Sequence, residues 1–193
     1  MPGSKTIRFA SLHDVELCTH AAVGERRAFG ELVRRHGSAV RGLLRRMGAQ
    51  PAEADDVAQD AFLTAFERIA EFRGEGAFAG WVKRIAARLY LRKLQRDRKL
   101  HLFAEEGVET TDSTGGDADA AIDLDEALKT LASGERICVT LCFAAGLSHA
   151  EAAEALNLPL GTVKSHVKRG LDKLRTRLAP AHGAALEGRR ENG

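Results

Sequence analysis

A chain of 193 residues that is 44% hydrophobic, 29% charged and only 5% aromatic has the length of one or two small domains and the make-up of a soluble protein rich in helix formers. No apolar run approaches the length of a bilayer span, and the N-terminus MPGSKTIRFASLHD lacks the apolar core of a signal peptide, so the protein is expected in the cytoplasm with no direct membrane insertion. The net charge of +2 conceals a segregation: eight basic residues against the single acid Asp97 between Lys83 and Lys99, then nine acids and no Lys or Arg from His101 to Leu128.

The first 13 residues carry no pattern and are expected to be loose. Apolar positions at helical spacing, including Val15, Leu17, Phe29, Leu32, Val33, Val40, Leu43 and Leu44, predict helices over about Asp14 to Val23 and Arg26 to Met47, with Gly24 as the break. Gly48 and Pro51 end the second. A third helix, about Ala52 to Ala70, buries Val57, Ala61, Phe62 and Ala65 and carries Glu53, Asp55, Asp56, Gln59 and Asp60 in its first turns. Acids there favour the helix dipole, and a cluster this dense also suits docking of a basic partner. After the glycine-containing loop at Phe72, Arg73 and Gly74, a fourth helix runs from about Ala77 to Lys99. It combines Trp81 and Tyr90 with Lys83, Arg84, Arg88 and Arg92, the cations and flat groups that a single-strand surface needs, although Trp81 fits a core role better.

Residues 101–121, rich in Gly, Thr, Ser and Asp, read as an acidic linker between a helical domain at 14–100 and a second at 122–178, and 179–193 as a mobile tail. In the second domain, Leu124, Leu128 and Leu131 fall on one helix, and Ile137, Val139, Leu141 and Phe143 on the next. Cys138 and Cys142 share a face there. Packing as small apolar groups is the better reading, a redox or two-ligand pair the other. Ser148 and Glu151 then have capping-box spacing, and Asn157 suits a left-handed helix end. After a short connection, Thr162 can cap a last helix with Val163, Val167, Leu171, Leu174 and Leu178 on its buried stripe. Its other face presents Lys164, Ser165, His166, Lys168 and Arg169, then Lys173, Arg175 and Arg177. This is a helix-turn-helix: short polar and basic groups near the start of the second helix reach base edges, and cations further along meet phosphates.

The order of parts resembles the extracytoplasmic-function sigma factors, the small two-domain class of sigma-70 family RNA polymerase subunits, from about Val15 to Leu178. The match lies in Glu53 to Phe62, in Phe72-Arg73-Gly74-Glu75 with Phe78, Trp81, Ile85 and Ala86, and in Gly146-Leu147-Ser148 with Glu151, Ala152 and Gly161-Thr162-Val163-Lys164-Ser165. The resemblance implies an all-α fold of two small helical domains on a flexible acidic linker. It assigns Glu53, Asp55, Asp56, Gln59 and Asp60 to the polymerase β′ clamp. Phe72, Arg73, Gly74, Trp81, Lys83, Arg84, Arg88 and Arg92 go to the minus-ten promoter element, and Ser148, Thr162, Lys164, Ser165, His166, Lys168 and Arg169 to the minus-thirty-five element. It further implies a monomer within the holoenzyme, control by an anti-sigma factor, and a linker threaded toward the RNA exit channel. Arg88 and Arg92 depart from the family's usual Asn and Asp, Ala153 from isoleucine, Ser133 from proline and His166 from arginine.

The expected activity is therefore transcription initiation: binding core RNA polymerase, reading promoter DNA and assisting its melting, with no cofactor, no metal and no covalent chemistry. The alternative is a stand-alone, dimeric helix-turn-helix regulator, which accounts for Leu147 to Leu178 but leaves the acidic third helix and the basic fourth without a role. An enzyme is disfavoured, since there is no phosphate loop, metal-ligand spacing or nucleophile with a matching base.

Overall fold

The computed structural model describes residues 8–74, 77–97 and 119–178, the side chains of 119–123 excepted, and these are helical throughout, without strands. Helices α1 Asp14–Ala22, α2 Arg26–Arg46, α3 Pro51–Glu67 and α4 Phe78–Arg96 form the N-terminal half. The C-terminal half comprises α5 Asp119–Lys129, α6 Ser133–Phe143, α7 His149–Leu156 and α8 Leu160–Leu178, and short 3-10 turns occupy Phe9–Ser11 and Ile69–Glu71. In the first half α2 packs on α1, α3 and α4; in the second, α8 packs on α5, α6 and α7. The breaks fall where backbone chemistry demands them. Gly24 and Gly48 take positive φ, which costs a residue without Cβ nothing, and Pro51 opens α3 where its missing N–H is not needed.

Several expectations need correcting. Phe9–Ser11 is not loose, because Arg35 gathers the chain ahead of α1. Its Nη1 donates to Leu12 O at 2.9 Å and Asp14 Oδ1 at 3.0 Å, its Nη2 to Ala10 O at 2.9 Å. Val15 is 53% exposed because α1 buries the side that bears Leu17, Cys18 and Ala21, and Phe143, at the end of α6, is 65% exposed. Helix α5 begins at Asp119, inside the stretch expected as linker. The remainder of that linker, residues 101–118, lies outside the described residues, as do the expected tail at 179–193 and residues 1–7.

The helix-turn-helix is built as its spacing predicts, with one change. Ser148 Oγ accepts from Glu151 N at 3.2 Å, and Ser148 N donates to Glu151 Oε2 at 2.8 Å, closing the capping box. Asn157 ends α7 in the left-handed conformation at φ 53°. Thr162 is not the cap of α8. Pro159 O already accepts from Thr162 N at 3.0 Å and Val163 N at 3.2 Å, so the helix starts at Leu160 and Thr162 lies in its first turn.

The buried apolar residues of both halves form one continuous cluster, from Leu17 through Phe78 and Leu94 to Ile137, Leu156 and Val167; a smaller one joins Ala127, Leu128, Leu131, Val139 and Leu174. Polar contacts stitch the halves together. Arg84 Nη2 donates to Gly146 O at 2.7 Å, Gln95 Nε2 to Ala155 O at 3.1 Å and Arg46 Nε to Asp125 Oδ1 at 2.6 Å, while Arg88 Nη2 stands 3.7 Å from Glu151 Oε1. Arg136 of α6 lies in the same seam. A Cβ on Gly48 would come within 3.2 Å of its Nη2, and its buried Nε makes no hydrogen bond among the described residues. Burial pushes the Arg136 guanidinium below its usual pKa and the Tyr90 phenol above its own.

Helix α8 approaches α6 so closely that a Cβ on Gly170 would lie 2.8 Å from Val139 Cγ2. Gly170→Ala gains about 1 kcal/mol of helix propensity but overpacks a stiff β-branched neighbour at about 1–3 kcal/mol. The denaturant midpoint is therefore expected to fall, and a rise would show that α6 and α8 can move apart freely. Glu151 supplies a second prediction. The Ser148 backbone N–H, then its side chain, then the positive charges of Arg84 and Arg88 hold its carboxyl below the usual range. A depressed carboxylate stabilises the fold above its unfolded-state pKa and loses that contribution as pH falls through the folded one. Wild type should thus melt above Glu151→Gln at neutral pH, with the gap closing below about pH 4.

Candidate functional site

The acids of α3 divide into two groups. Glu53 is turned inward: its Oε1 pairs with Lys93 Nζ of α4 at 3.1 Å, its Oε2 accepts from Gln50 N at 3.4 Å, and its side chain is 18% exposed. Local capping and helix-to-helix pairing account for it. Asp55, Asp56, Gln59 and Asp60 are exposed on the outer side, Asp55 at 3.5 Å from Arg41 of α2. Beside them α2 and α3 enclose an apolar groove of about 540 Å³, with Phe29, Val33, Phe62, Leu63 and Phe66 inside and Arg26, Arg41, Asp55 and Gln59 on its rim. Leu63 is 55% exposed. The sequence reading missed the groove, although an apolar Leu63 off the buried stripe of an otherwise acidic helix was its signal.

The residues expected to meet single-stranded bases fall into two environments. Phe72, Phe78 and Trp81 form an aromatic cluster, with Phe72 and Trp81 ring centroids 5.4 Å apart and Phe78 and Trp81 5.9 Å apart. Phe78 is buried, Phe72 and Trp81 are half-buried, and Arg73 and Gly74 are exposed. Gly74 adopts φ +74°, and Glu75 and Gly76 lie outside the described residues. Further along α4, Lys83 is half-buried and Arg84, Arg88 and Arg92 are exposed. Arg84 and Arg88 are the two that α7 and the Gly146 turn engage.

On α8, Lys164, Ser165, Lys168 and Arg169 are exposed along one side. Ser165 Oγ donates to Gly161 O at 2.9 Å, which commits its proton to the helix backbone. His166, expected on that face, is corrected: it is 8% exposed, and its Nδ1 lies 3.2 Å from Arg169 Nη2. A residue one position before buried Val167 is drawn into the packing, and its ring nitrogen meets the Arg169 guanidinium. Lys173, expected near a phosphate, is turned to α6, where its Nζ lies 2.8 and 3.0 Å from the two carboxylate oxygens of Glu135. Ser148 works through the capping box and Thr162 from the first turn of α8.

Among the described residues no group of three or more His, Cys, Asp or Glu is placed to hold a metal ion, and no helix is long and apolar enough to cross a membrane. Cys138 is fully buried, and burial pushes its thiol up to about 12. It packs as a neutral apolar group.

Residues 32–100 match the model of Sigma-70 region 2 and residues 121–174 that of Sigma-70 region 4. The chain is 33% identical over 172 residues to the RNA polymerase sigma factor NccH of Alcaligenes xylosoxydans xylosoxydans, covering 83% of this chain and 92% of that one. It is 32% identical over 161 residues to the ECF RNA polymerase sigma factor SigM of Mycobacterium tuberculosis, covering 83% and 82%. Among solved structures, that of CnrH in complex with the cytosolic domain of CnrY superposes with a TM-score of 0.51 at 30% identity, covering 86% of this chain and 97% of that one. The region 2 match spans the acidic helix and the aromatic, basic helix, and the region 4 match spans the helix-turn-helix; the chain belongs to the extracytoplasmic-function group of sigma-70 family RNA polymerase sigma factors, which are transcription initiation factors.

Proposed function

We propose that three surfaces of this chain divide the work of promoter-specific initiation in the cytoplasm. Exposed Asp55, Asp56, Gln59 and Asp60, with the apolar groove next to them, bind the β′ clamp of core polymerase. Acids steer the approach of a basic helix, and Phe62, Leu63 and Phe66 supply apolar area once it docks. The half-buried Phe72 and Trp81 rings, with Arg73 and the cations of α4, take up unpaired bases of the minus-ten element. Binding energy there offsets the few kcal/mol needed to unstack and unpair each base. Lys164, Ser165, Lys168 and Arg169 on α8 read the minus-thirty-five element in the major groove, with phosphate contacts that weaken as salt rises. The observation that supports this reading is the presence on one chain of an acidic face with an apolar groove, an aromatic and basic helix, and a capped helix-turn-helix.

The seam between the halves bears on the order of events. Gly146 O and Glu151 engage Arg84 and Arg88 in this arrangement, and parting of α4 and α7 would release both for minus-ten capture. An anti-sigma factor that clasps the closed arrangement would keep those cations engaged within the chain. CnrH, whose structure is of a complex with the cytosolic domain of CnrY, offers a precedent for such a partner.

Transcription in vitro tests the whole assignment: core polymerase with and without this protein on a library of duplex promoters, with sequencing of the dependent transcripts. Specific initiation is expected. None, together with tight binding of the chain alone to a palindromic duplex, would favour the dimeric regulator. Asp56→Arg should abolish assembly with core while leaving the helical circular dichroism intact, and undiminished assembly would refute the clamp surface. A short bifunctional maleimide joining Gln95→Cys to Ala155→Cys should suppress initiation in proportion to the cross-linked fraction. Full activity of the cross-linked species would show that the seam need not open.

A further inference from the structure

Glu135 is the most deeply buried charged residue among the described residues, at 4% exposure, and it stands on α6 directly behind α8. Its two oxygens lie 3.0 and 2.8 Å from Lys173 Nζ, and its Oε1 lies 3.6 Å from Arg169 Nε. Gly170, between those two cations, lets the helices close: a Cβ there would come within 3.5 Å of Glu135 Cβ and 3.6 Å of its carbonyl oxygen. The Arg169 Nη2 also lies 3.2 Å from His166 Nδ1. A buried carboxylate needs its partners, because leaving it uncompensated is strongly destabilising. The hold on Lys173 and Arg169 is therefore built into the packing of α8. Both cations keep about half of their side chains exposed, at 54% and 48%, so DNA phosphates compete for them with an acid that is always present.

We propose that Glu135 is a positioning residue for promoter reading, resting on the assignment of α8 as the duplex-reading helix. It withdraws Lys173 from the phosphate contacts and fixes Arg169 at the edge of the reading face. Sequence-independent affinity is thereby lowered, while Lys164, Ser165 and Lys168, which Glu135 does not touch, keep their access to DNA. Specificity gains because phosphate contacts add equally to right and wrong sites.

The test uses the assembled holoenzyme, a promoter duplex selected by its own transcription and an unrelated duplex of equal length, with dissociation constants measured from about 50 to about 200 mM salt. Each phosphate neutralised contributes about 0.9 to the slope of log affinity against log salt. Glu135→Gln should steepen the slope on the unrelated duplex by about one such step and lower the promoter-to-unrelated affinity ratio several-fold; a residue that merely stabilises the fold would lower the melting temperature without steepening the slope. Lys173→Gln should leave the slope unchanged in the wild-type background and reduce it by about 0.9 in the Glu135→Gln background. A reduction of that size in the wild-type background, with the helical circular dichroism of the Lys173→Gln holoenzyme's sigma subunit unchanged, would overturn the inference, since Lys173 would already be on a phosphate. If the unvaried holoenzyme binds both duplexes with one affinity, and Lys164→Gln with Lys168→Gln leaves its slope unaltered, the assignment of α8 fails and the inference fails with it.

Discussion

Helix α4 must serve two neighbours with one cylinder, and most of the molecule follows from how it does so. Its apolar side, Phe78, Val82, Ala86, Ala87, Tyr90, Leu91 and Leu94, is buried and joins the cluster that runs through both halves. That leaves a limited arc for cations, and the arc is shared. Lys93 pairs back to Glu53 on α3, while Arg84, Arg88 and Gln95 turn to the Gly146 turn and α7. A face rich in Arg is well suited to such double use. Guanidinium groups are permanently charged, make directional hydrogen bonds to carbonyl oxygens and carboxylates alike, and meet phosphates with the same fork.

The recurring electrostatic device is therefore exchange of partners. On the proposed function, Glu151 and Glu135 occupy places in the charge pattern that a nucleic-acid phosphate would otherwise take. They differ in depth. Glu151 is at the surface, already committed to the Ser148 cap, and its 3.7 Å contact with Arg88 is the kind of exposed pair that contributes little and yields readily. Glu135 is buried and cannot release both of its cations without leaving an uncompensated charge. One acid suits a seam that parts, the other a helix that must stay in register. Arg136 points the same way as Glu151. A guanidinium whose buried Nε has no hydrogen-bond partner among the described residues weakens the closed seam, and separation of the halves restores its hydration.

Arg88 had stood out in the sequence as a departure from the family's usual residue, with no local reason. Its partner lies 63 positions further along the chain, and the ion pair gives the departure a place in the fold. The groove between α2 and α3 is a comparable case. Leu63 was visible as an apolar residue outside the buried stripe, but that Phe29, Val33 and Phe66 line the same hollow depends on how two helices cross.

Local chemistry was legible in the chain: the capping box at Ser148 and Glu151, the left-handed end at Asn157, the proline start of α3, the stripe on α8 at Val163, Val167 and Leu174, though not Leu178, which is exposed, and the segregation of acidic α3 from basic α4. Each is written within one or two helical turns, where spacing alone decides which groups can meet. Family membership was legible for the same reason, since its motifs are short and stand in a defined order. Tertiary structure alone decided which polar groups face outward. It buried His166 behind Arg169, turned Lys173 to Glu135, drew Glu53 onto Lys93 and placed Arg84 and Arg88 against the C-terminal half. Helical periodicity divides a helix into a buried side and an open side. It does not say which neighbour will approach the boundary between them, and a charged side chain long enough to span that boundary takes its direction from the neighbour.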